Sequence, residues 1–167
     1  MKNVAEFYVA SAPLVRAFSK FVFDYYVSGN AKADHICFKC SSSEEFEHLR
    51  ALLEPESEYV YQSYISGRRI AVIRIKSAFD TPLGQIKVVE LSDQKPDGSQ
   101  TSGFDHIEIY PDSITYEALV AIMEKTNLPL KKVERPHHTT VDIPLDGGYL
   151  VRLTREPLLD KIKREMR

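Results

Sequence analysis

Asp34-His35-Ile36-Cys37-Phe38-Lys39 and Asp105-His106-Ile107-Glu108-Ile109-Tyr110 are two versions of one pattern, 71 positions apart. In each, apolar residues alternate with polar ones, the period of a half-buried strand: Ile36 and Phe38 share one face, Ile107 and Ile109 the other copy's equivalent face. Each strand runs into a helical segment. The first, SSSEEFEHLRALL, offers a serine N-cap followed by early glutamates. The second, PDSITYEALVAIMEK, offers Asp112 or Ser113 as its cap. Three further strands follow each helix. In the first half they are expected at residues 58–65, 69–76 and 85–91, with Ser66-Gly67 as a tight hairpin turn. In the second they are expected near 130–135, 137–143 and 148–154, with Asp146-Gly147-Gly148 as the corresponding turn.

The repeated element order implies an α+β fold: two βαβββ modules forming a curved, open mixed sheet around a cleft, preceded by N-terminal helices. Residues 1–30 read as that helical segment, in one or two helices divided at Pro13. Apolar positions such as Phe7, Val9, Leu14, Phe18 and Tyr25 recur at helical steps, and Ser28-Gly29-Asn30 provides the stop. Residues 31–95 form the first module, 96–156 the second and 157–167 a short C-terminal helix, all in one compact domain. The stretch LSDQKPDGSQTSGF has the composition of a boundary between modules.

Composition narrows the function classes. The 167 residues are 43% hydrophobic and 28% charged with a net charge of −2, which gives no field suited to nucleic acid or an anionic membrane. The basic cluster in KIKREMR reads as a solvated helix end. No stretch approaches the roughly 20 apolar residues of a membrane span, and the first residues lack a signal-peptide layout. Cys37 and Cys40 have CxxC spacing, but strand alternation puts them on opposite faces and no second pair is present for zinc. Two free thiols suit a cytoplasmic location.

Alternation also sorts the polar side chains. Opposite the apolar face lie His35, Cys37 and Lys39 in one half, and His106, Glu108 and Tyr110 in the other. Equivalent strands of a duplicated fold are related by a pseudo-twofold, so His35 and His106 are expected to face each other across the cleft. Glu90 closes the apolar strand IKVVEL, where a buried carboxylate needs a cationic partner. Two imidazoles and a carboxylate suit a divalent ion such as Zn, Mn, Ni or Fe. Symmetry with Glu90 points to Arg152, which cannot ligate a metal. His138 is therefore the candidate fourth ligand. Arg152 and Arg74 are candidates for binding an acidic substrate, and Glu108 and Tyr110 for proton transfer. An alternative is that Glu90 pairs with Arg152 and no metal is held.

Paired βαβββ units opening on D-H-I strands resemble the vicinal oxygen chelate superfamily, which includes glyoxalase I, extradiol dioxygenases, methylmalonyl-CoA epimerase and fosfomycin-resistance proteins. Within it the stretches ADHICFKC, ISGRRI, IKVVELSDQKP, GFDHIEIY and the terminal LLDKIK region most resemble the YecM family. The resemblance implies a metal at His35, Glu90 and His106, chelated by neighbouring oxygens of a substrate. Arg152 departs from it: superfamily enzymes commonly place there a second glutamate that is both ligand and base. The superfamily's dioxygenases hold iron with two histidines and one glutamate. The expected function is thus a metal-binding protein with a small-molecule cleft, a candidate metalloenzyme of isomerase, lyase or dioxygenase type. The alternative is a non-catalytic small-molecule binder in which Arg152 replaces an acidic ligand. Either form is expected to be a monomer or homodimer.

Overall fold

The computed structural model describes residues 1–25, 27–135 and 138–166, with Arg135 and His138 in backbone only. The chain opens with α1 (Val4–Asp24), capped by the Asn3 side chain on the Glu6 amide at 2.9 Å. It is one continuous helix rather than two. Pro13 cannot donate to the carbonyl of Val9, yet the helix continues through it on a turn where Val9 is 74% exposed. Then come β1 (Ala31–Lys39), α2 (Ser43–Leu53), β2 (Ser57–Ile65), β3 (Arg68–Thr81) and β4 (Gly84–Ser92). The second half repeats the order: β5 (Gly103–Pro111), α3 (Tyr116–Glu124), β6 (Lys131–Arg135), β7 (His138–Pro144) and β8 (Leu150–Leu153), followed by α4 (Leu158–Glu165).

Ser42 caps α2, with Glu45 reaching back to the Ser41 amide at 2.7 Å. The cap of α3 is Thr115, not Asp112 or Ser113; Ser113 lies at φ 63°, outside the extended conformation an N-cap adopts. Ser66 and Gly67 both have positive φ, as a two-residue hairpin turn requires. Asp146-Gly147-Gly148 joins β7 to β8, so its positional counterpart is the turn before Gly84, not Ser66-Gly67.

The eight strands form one open mixed sheet in the order β2-β3-β4-β1-β5-β8-β7-β6. β1 and β5 pair antiparallel at its centre, and each then pairs parallel with the last strand of its own half, β4 or β8. One face carries Ile36, Phe38, Ile107 and Ile109, buried with residues of α1, α2 and α3 in the main core. The other face carries His35, His106 and the polar residues considered next. No helix is long and apolar enough to cross a membrane among the described residues.

Candidate metal centre

Two β-bulges set up the centre. Between Ala33 and Ile36 of β1 the pairing with β5 slips, and it slips again opposite Cys37 and Phe38, around Asp105 of β5. An extra residue in a strand breaks the alternation of faces. Each Asp–His pair sits at one of these slips, and neighbouring side chains come together instead of diverging. The Nδ1 atoms of His35 and His106 lie 2.7 Å from Oδ2 of Asp34 and Asp105 respectively. With Nδ1 donating, both Nε2 atoms face inward. The two rings are 6.0 Å apart, nearly edge to face.

The parallel pairings bring in the remaining groups. β4 lays Glu90 beside Cys37, and β8 lays Arg152 beside Glu108. His35 Nε2 lies 3.8 Å from Glu90 Oε2 and 3.8 Å from Glu108 Oε1. His106 Nε2 is 3.5 Å from the same Glu108 oxygen. Cys37 Sγ donates to Glu90 Oε1 at 3.4 Å. His35 and His106 are buried, at 0% and 2% exposure, and His35 Nε2 has no hydrogen-bond partner.

These positions fit a divalent ion. Nitrogen and oxygen ligands lie about 2.0–2.2 Å from zinc, so atoms sharing a tetrahedral ion stand about 3.4 Å apart. Three of the separations are 3.5–3.8 Å, and within each candidate group all ligand atoms lie within 4.8 Å, so coordination requires the side chains to draw inward. His35, His106 and Glu108 form one candidate ligand group, and Cys37, Glu90 and His106 another.

The charges are strongly coupled. Burial opposes protonation of His35, but Glu108, the bond to Asp34 and Glu90 overcome it and push the imidazole up to about 9. Burial likewise works against the Glu108 carboxylate, yet His35, His106 and Arg152 hold it well below the usual range. Burial pushes the Cys37 thiol well up, and Glu90 adds to the effect. Arg152 is anchored by Asp142, which takes Nε at 2.7 Å and Nη2 at 3.0 Å. Its Nη1 reaches His106 Nε2 at 3.1 Å and Glu108 at 3.5 Å.

The structure thus gathers His35, Glu90, His106, Glu108 and Arg152. It does not pair Glu90 with Arg152 among the described ion pairs; Asp142 and Glu108 take that guanidinium. Arg74 pairs with Glu58 of β2 at 3.4 Å, both half-exposed, and stands apart from the centre. Tyr110 lies further along β5, its phenol pushed up by burial against the opposing pull of Lys32. The side chain of His138, and His137 altogether, lie outside the described residues. Cys37, on the polar face of β1 but not counted among the candidate ligands, lies beside Glu90, and Asp34 and Asp105, which were not expected there, contact the two histidines. The repeated Asp before each His was the available signal. Lys39 Nζ lies 2.5 Å from Asp105 Oδ1.

The family model described as YecM protein matches residues 24–145. The structural genomics protein EC4020 is 19% identical, with 92% of this chain and 88% of that one covered at a TM-score of 0.73, a shared fold. Methylmalonyl-CoA epimerase from Mycobacterium tuberculosis is 14% identical over 78% of this chain and 91% of its own, at a TM-score of 0.47. Protein BH1468 from Bacillus halodurans C-125 is 17% identical over 75% and 94%, at 0.46. No curated protein matches.

Proposed function

Since the chain belongs to the YecM protein family, we propose that it binds a divalent metal ion through His35, Glu90 and His106, with Glu108 rather than His138 as the fourth protein ligand, and presents it to a small oxygen-rich molecule. The observation that supports this reading is the buried Nε2 of His35, unpartnered between two carboxylates and facing a second histidine. Without metal that nitrogen faces the two carboxylates only as a long ion pair of the protonated ring, and a divalent ion can take the proton's place between them. When bound, the ion supplies Lewis-acid stabilisation of negative charge developing on a ligand oxygen.

The chain's own residues then have definite roles. Asp34 and Asp105 hold the imidazole tautomers. Glu108, held ionised well below the usual carboxylate range, suits a ligand role rather than that of acid or base. Tyr110, further along β5 and with its phenol held protonated by burial, would serve as a hydrogen-bond donor to a ligand oxygen rather than as a proton source. Arg152 orients an anionic group, since Asp142 fixes its plane and leaves Nη1 facing the centre. This describes a metalloenzyme of isomerase, lyase or dioxygenase type. The contact of Arg152 with His106 Nε2 favours a second reading, a non-catalytic binder in which the guanidinium occupies part of the site. Two buried free cysteines suit a cytoplasmic protein, as a monomer or homodimer.

Metal content of the untagged protein tests the proposal, beside a His35→Ala/His106→Ala variant and a Glu108→Gln variant. About one equivalent in the wild type, none in the double variant and an affinity at least 100-fold lower in Glu108→Gln are expected. Absence of uptake of Zn, Mn, Ni or ferrous ion by the wild type overturns the reading.

A further inference from the structure

The face that carries the centre continues past Glu90 as an apolar platform. Val88 of β4 is the register partner of His35, and Val72 of β3 is the register partner of Glu90. Ile70 lies two residues further on. These three are buried, yet they belong to a cluster separate from the main core, completed by Ile162, Leu158 and Leu159 of α4 and by Tyr61. An aliphatic surface therefore borders the ligand atoms, and its cover is the C-terminal helix.

The helix is tied to the centre at its first residue. Leu158 N–H donates at 2.9 Å to Asp34 Oδ2, the same oxygen that faces His35 Nδ1 at 2.7 Å. Pro157 provides no side-chain cap, so Asp34 caps α4 from across the sheet. Its counterpart Asp105 pairs with Lys39 instead, so this link exists in one half only.

We propose that Ile70, Val72 and Val88 form a ligand subsite, taking the aliphatic part of a molecule whose oxygens reach the metal centre, and that α4 is its displaceable cover, latched through Asp34. The inference rests on the metal reading above. Three observations support it. The platform is continuous with the ligand atoms through strand register. α4 already seats leucine and isoleucine side chains there, which shows the chemistry the surface accepts. And α4 packs in a cluster of its own, so it can lift without opening the main core.

The test uses full-length protein titrated with zinc and then with straight-chain hydroxamates from two to eight carbons, with hydrogen exchange followed at the α4 amides. Each buried methylene is expected to tighten binding roughly fourfold over the first few carbons. The longer probes, unlike acetohydroxamate, should speed α4 exchange at least tenfold. Ile162→Ala should strengthen the long probes several-fold and leave acetohydroxamate unchanged. Zinc uptake with affinities independent of chain length, or α4 exchange unmoved by the long probes, overturns the subsite and leaves the metal centre standing. Absence of zinc uptake overturns both. The wild-type series decides the matter if Ile162→Ala proves unstable.

Discussion

A metal ion at this centre must compete with a proton, and the competition gives a quantitative test. In the metal-free protein His35 is surrounded by Asp34 at 2.7 Å and by Glu90 and Glu108 at 3.8 Å each. These carboxylates outweigh burial and move its pKa from 6.5 to about 9. The folded state thus binds a proton more tightly than the unfolded one. The resulting stability, roughly 3 kcal/mol, is fully present below pH 6.5 and is lost as pH rises through 9. Metal needs the neutral imidazole, so at pH 7 its apparent affinity should lie about 100-fold below the limiting value. That affinity should climb nearly tenfold per pH unit and level off close to pH 9. Competition with a chelator of known proton linkage, or calorimetry in buffers of different ionisation enthalpy, measures the slope and the proton released. An affinity that levels off near pH 6.5, as for an ordinary histidine, refutes the reasoning about the carboxylate cage.

Two further outcomes follow from the packing around the centre. Asp142→Asn leaves the Arg152 guanidinium, only 14% exposed, without its bidentate anion and should cost about 3 kcal/mol, read as a lower urea midpoint. Adding Arg152→Met to that variant should recover part of the loss. Gly67→Ala places a Cβ 2.8 Å from Pro96 Cγ at a φ of +79° and should cost about 1–2 kcal/mol, a fall of roughly 3–8 °C in Tm without effect on metal affinity.

The Asp-His-Ile repeat was enough to read the sheet, because period-two alternation and a duplicated element order are local signals. Strand parity also sent His35, His106 and Glu108 to one face, and Glu90 joined them as a carboxylate in an apolar strand that needed a cationic partner. It could not show that Asp34 and Asp105 join their histidines, since a bulge breaks parity and depends on the partner strand. Nor could it show that Asp142, on β7, claims Arg152 before Glu90 can, because that pairing joins residues brought together by the register of β7 with β8. The helix breaks were harder still. Pro13 lies inside one continuous helix on a turn where Val9 is 74% exposed, a feature of tertiary placement that the local sequence does not carry.

The two halves keep their histidines but exchange the positions of charge. At the inner strand the first half has Cys37 where the second has Glu108; at the outer strand it has Glu90 where the second has Arg152. The carboxylate of the second half has thus moved one strand inward rather than disappeared, and Glu108 stands 3.8 Å and 3.5 Å from the two Nε2 atoms. Arg152, displaced from any ligand role, balances it at 3.5 Å. Around the centre Asp34, Glu90, Asp105, Glu108 and Asp142 are gathered against Lys39 and Arg152. Such an excess of negative charge in a buried site demands added positive charge. A proton on His35 supplies part of it in the metal-free protein, and a divalent ion supplies more of it when that proton leaves. Replacing Glu108 by Gln should therefore lower both affinities together, for the proton on His35 and for the metal. A variant that lost metal while its His35 pKa, followed by NMR, stayed near 9 would separate the two and refute the shared cage.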